Sequence, residues 1–224
     1  VLNIHVLPKR TVPIAIHPIT LLDAHGVTRA TPQALPSAVE IKSYLDKVFG
    51  EQANVFFDVT ITGGAALNWD VGVKNEEGAK GRNDGTFAFM NPGEIIGTPN
   101  PSPLTAEEEL VVDAIHNASA LFNIYMIGTD GQRLGAELIT VKSDQTFLNN
   151  VFGHAGKRDT PGTNRAIYIW AWEPTEFTTD WKWTLAHELG HAIGNLSHTE
   201  LLYTVGHIPN GENVWRLMSG SQSD

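Results

Sequence analysis

The stretch His187-Glu188-Leu189-Gly190-His191-Ala192-Ile193-Gly194-Asn195-Leu196-Ser197-His198 decides how this chain is read. Asp180, just upstream, is a plausible cap, and a helix is expected from Trp181 to about Gly194. On that helix His187 and His191 are four apart and share one face. Two imidazoles one turn apart can grip a single Zn2+ at Zn–N distances of about 2.0–2.1 Å. Glu188 is adjacent and cannot stack in line with them. It can instead reach a water on the metal's open side and take its proton. Gly194 falls where the helix should end, and glycine tolerates the left-handed conformation that turns a chain back. Such a return brings His198 towards the metal from a different direction. Three neutral imidazoles then leave the fourth position open, as in a catalytic zinc site. The plainer alternative is a surface or capped helix whose two histidines merely face solvent.

These residues resemble the metzincin clan of zinc metalloendopeptidases, whose signature is H-E-x-x-H-x-x-G-x-x-H followed by a methionine turn. The resemblance is specific only towards the C-terminus, from the motif helix onward. One departure is visible: the Gly-to-His gap is one residue longer, so His198 stands one position beyond the family's third ligand. Asn195 is the extra residue, and Gly194-Asn195 can absorb it as a wider turn because Asn tolerates positive φ. Ser197 occupies the family's own position but is a poor zinc ligand. Met218, in Arg216-Leu217-Met218-Ser219-Gly220, resembles the methionine turn, a hydrophobic floor under the imidazoles and not a ligand. Six residues come after it, Ser219 to Asp224, where the family continues into the S1′ wall and a C-terminal helix. Position 220 is Gly, so the Tyr ligand of astacin-like and serralysin-like members is missing.

The resemblance implies a zinc-dependent endopeptidase acting on protein or peptide substrates. His187, His191 and His198 would bind one Zn2+, Glu188 would be the general base, and Gly194 and Met218 would support the site. It implies an α+β fold in which a mixed twisted sheet packs on helices, with a long active-site helix and a cleft. One catalytic domain would span 1–224, with an N-terminal lobe over about 1–194 and a short C-terminal lobe over about 195–224.

Composition agrees with a globular monomer. Of 224 residues, 42% are hydrophobic and 18% charged, enough to build a core. The net charge of −10 argues against nucleic-acid phosphates as partners. No apolar stretch approaches the roughly 20 residues needed to cross a bilayer, so no membrane span is expected. There is no cysteine, which excludes disulfides, thiolate zinc sites and cysteine nucleophiles. The chain opens at Val1 without an initiator Met and reads as a processed or excised fragment. Sequons occur at Asn117-Ala118-Ser119 and Asn195-Leu196-Ser197. A glycan on the second would sit inside the metal motif, which favours a secreted, bacterial protein over a eukaryotic one.

Along the chain, Val1 to Leu7 alternates like a strand, and Pro8, Pro13, Pro18, Pro32 and Pro36 interrupt the next 30 or so residues. Helical spacing runs from Ser37 to Phe49, with Gly50 as the stop. Val55 to Thr62 reads as a strand, and residues 63–100 as long loops with short strands. A second helix is expected over Leu104 to Ala118, opened by a Thr105/Glu108 capping box. Further strands are expected at Leu121 to Ile127 and Ala166 to Trp172.

Competing features are weaker. A thermolysin-like third ligand at Glu212 is rejected, because its surroundings read as a turn; Glu200 and His207 are spare donors. Tyr203 is taken as a packing aromatic. Asn68, Asp70, Asn75, Glu76, Glu77, Asn83 and Asp84 could supply oxygens to Ca2+, but they fit no recognised loop spacing and read better as solvated loop polarity. His5, His17, His25, His116 and His154 are scattered and need no function. A structural zinc site in a binding module remains the alternative, as does a toxin-type peptidase specific for one protein. A structural site gives Glu188 no task.

Overall fold

The computed structural model describes residues 8–32, 35–71, 106–128, 153–156, 165–170 and 180–194. The order is β1 (Arg10–Leu22), β2 (Thr28–Ala30), α1 (Ala38–Leu45), a wider π-type turn (Asp46–Gly50) and α2 (Glu51–Ala53). Then come β3 (Val55–Ile61), β4 (Ala65–Leu67), α3 (Ala106–Ala114), β5 (Phe122–Ile127), β6 (Gly153–Gly156), β7 (Arg165–Trp170) and α4 (Asp180–Gly194). The strands form one mixed sheet, and the helices cover both its faces. The expectation of a mixed sheet packed on helices holds at that level. Among the described residues, no helix is long and apolar enough to cross a membrane.

β1 is the central strand. β3 and then β4 run parallel along one of its edges, and β5 runs parallel along the other. Leu21 pairs with both Leu67 of β4 and Ala30 of β2, which puts antiparallel β2 on the β5 side. β7 continues parallel to β5, and β6 closes the described sheet antiparallel to β7.

This strand corrects the sequence expectation, since Pro13 and Pro18 lie inside β1 and do not break it. Neither ladder needs their missing N–H. In a parallel ladder one residue's N–H and C=O address the same edge. The Pro13 carbonyl accepts from Leu121 N–H at 2.8 Å, ahead of the first paired residue of β5. The Ile16 carbonyl accepts from Thr62 N–H at 2.9 Å, so even-numbered positions address the β3 edge. Pro18 therefore falls in the gap between β3 and β4, a site that tolerates proline.

The first helix also departs from expectation. Ser37 caps α1 by accepting from Glu40 N–H at 3.2 Å, but Gly50 does not end the helical path. The chain passes through the π-type turn and α2 and stops at Asn54, which takes a left-handed φ of 55°. Gly50 and the Phe56 ring approach closely, since a Cβ at Gly50 would lie 3.0 Å from that ring. α3 ends earlier than expected, at Ala114, because Asn117 makes its own turn: its Oδ1 accepts from Ser119 N–H at 2.9 Å. Thr105 and the expected Val1–Leu7 strand lie outside the described residues.

Alternation along the strands gives two cores. Val12, Ile14 and Ile16 of β1, with Ile124 of β5, face α1 and α4. Ile19, Leu21, Tyr125 and Ile127 face α3 and Trp69. Fully burying each Ile or Leu stabilises the fold by about 1.5–3 kcal/mol relative to exposure.

Candidate metal centre

The long helix α4 is held to the sheet by one face. Leu185, Ala186, Leu189 and Ala192 are buried in the core shared with β1, β3 and β5. At its start, Lys182 meets Glu40 of α1 at 3.0 Å, a half-exposed pair contributing at most about 1 kcal/mol. Helical geometry puts His187 on the side away from that apolar stripe, while Glu188, three residues after Leu185 and four before Ala192, borders it. His191 follows His187 by four residues in the same helix, and Gly194 is the last residue of the helix.

A solvent-facing helix would leave this second side wet. Instead His187 is 5% exposed and Glu188 is 6% exposed, and both engage in non-covalent interactions. Ionisable side chains are buried where they are hydrogen-bonded, paired or holding a metal. The picture of two idle surface histidines therefore does not describe His187.

No family model matches the chain, and neither a curated protein nor a solved structure matches it.

The sequence spacing on α4 is the feature to weigh for a zinc ion. Two histidines at i and i+4 are the spacing one metal needs, and a buried carboxylate lies beside the first of them. His198 and Met218 lie outside the described residues, as do Asn195, Ser197, Glu200, Tyr203, His207 and Glu212. Among the described residues no group of three or more His, Cys, Asp or Glu could hold a metal.

Two other expectations change. Asp70 reads in the sequence as a solvated loop oxygen, yet it is 1% exposed, and Arg29 approaches its carboxylate at 3.6 Å. The loop positions Asn75, Glu76, Glu77, Asn83 and Asp84 lie outside the described residues. His17, one of the scattered histidines expected to need no role, is 0% exposed at the centre of a polar cluster on the α3 face. Its Nε2 lies 2.8 Å from Asn123 Oδ1 and its Nδ1 3.0 Å from Thr62 Oγ1. The ring stacks on Tyr125 with centroids 5.2 Å apart. Burial holds the imidazole below its ordinary pKa; the Asn123 bond acts the other way, and nearby His116 adds to the lowering. The signal in the sequence was the inward register of β1, hidden behind its prolines.

Proposed function

We propose that the chain is a zinc-dependent endopeptidase of metzincin type, a secreted monomer with one catalytic domain that hydrolyses protein or peptide substrates. The observation that carries this reading is the buried His187–Glu188 pair on α4, with His191 one turn on. His187, His191 and His198 would hold the metal, with Met218 beneath the imidazoles. Bound there, zinc would supply Lewis-acid chemistry, acidifying a water and polarising a peptide carbonyl.

The chain's own residues do the rest. Glu188 takes the proton of the attacking water and delivers it to the leaving amine, as a general base and then a general acid. The apolar face of α4 fixes the rotation of the helix on the sheet, which sets where His187 and Glu188 lie; packing of this kind pre-organises a site. The third ligand is the part most open to test. Elemental analysis of the purified chain should find about one zinc per molecule, and His198→Ala should lose most of it. Full zinc retention in that variant would refute the three-histidine site.

A further inference from the structure

We propose that His17 is an acid-sensitive latch that, while neutral, ties the middle of β1 to the β3–β4 crossover and to the loop after α3. The hydrogen bonds fix its state. Asn123 Oδ1 accepts from Asn117 N–H at 2.8 Å, and Asn123 Nδ2 donates to the Asn117 carbonyl at 3.3 Å, so the amide orientation is determined. An acceptor therefore faces His17 Nε2, and that nitrogen carries the proton. In the neutral ring Nδ1 is then an acceptor, and the Thr62 hydroxyl donates to it. Thr62 Oγ1 in turn accepts from Gly64 N–H at 3.2 Å, at the glycine whose φ of +73° turns β3 into β4. One imidazole thus joins three segments of chain that are far apart in sequence.

A second proton would reverse the Thr62 bond and leave a buried charge. The Thr62 hydroxyl would have to turn to the Ile16 carbonyl, 3.4 Å away, and a cation would sit where water has no access. Among the described residues, the groups nearest the ring are uncharged. The neighbours of His17 on this face of β1 are Ala15, Ile19 and Leu21, and the crossover contributes Thr62, Gly63 and Gly64. β5 contributes Asn123 and Tyr125, whose hydroxyl donates to the Ile115 carbonyl at 3.2 Å. On α3, Glu107 and Glu108 are buried, and beyond β4 Asp70 faces Arg29. The nearby charge of His116 opposes a proton. A histidine whose pKa is lowered by folding stabilises the closed form above its unfolded value of 6.5, and that contribution is lost as pH falls below it.

The latch does not depend on the peptidase reading and is tested on the wild-type chain. Imidazole nitrogen NMR should show the Nε2–H tautomer of His17 at pH 7.5. Amide exchange, corrected for its intrinsic pH dependence, should show the Asn117 amide losing protection below pH 6.5, by up to about tenfold per pH unit for one linked proton. The Leu45 amide of α1, on the opposite face, should keep its protection. Constant protection at Asn117 down to pH 5, or an equal loss at Leu45, would overturn the proposal.

Discussion

The sheet buries a histidine on each face, and the two are buried differently. On the α3 face His17 is enclosed by Thr62, Asn123 and Tyr125, and each ring nitrogen is spoken for. On the α4 side His187 sits beside a buried carboxylate, with a second histidine one turn on. The first arrangement is closed: it satisfies polar groups and leaves nothing to react. The second buries a histidine and the carboxylate next to it on a helix anchored by Leu185, Leu189 and Ala192. Burial alone therefore says little about a histidine.

The comparison can be broken by disturbing one face at a time. Leu189→Ala removes a buried side chain that anchors α4, so urea unfolding should show a loss of about 2–5 kcal/mol. Zinc retention should fall with it, because the helix rotation is no longer fixed. Asn123→Leu acts on the other face, leaving the His17 Nε2–H and the Asn117 N–H without their acceptor. Unfolding should show a smaller loss of about 1–3 kcal/mol, with zinc content unchanged. Zinc loss from the Asn123 variant but not from the Leu189 variant would reverse the roles assigned to the two faces.

Part of this architecture is readable in the sequence. Alternation of apolar residues over Val55 to Thr62 and the apolar run of Leu121 to Ile127 announce strands, and Asp180 as a cap with Gly194 as a stop announces α4. β1 is hidden because proline is a poor strand residue, and only the ladders show that Pro13 and Pro18 fall at gaps. With β1 hidden, the inward register of His17 is invisible too. Gly50 looks like a helix stop because glycine often is one; the close approach of Phe56 is a tertiary fact no local pattern carries. The proposed motif residues stand out because metal chemistry demands a fixed spacing along a helix. The burial of His187 and Glu188 is not, since it depends on the structure that covers that stripe.

The central claim is that Glu188 moves the proton in peptide hydrolysis, and it is tested by cleavage of casein or gelatin by the native chain and by Glu188→Ala, with zinc measured in both. The account predicts about one zinc per chain in each and a loss of cleavage of about 10²–10⁴-fold in the variant. Undiminished cleavage by Glu188→Ala, or absence of zinc from both proteins, would contradict it.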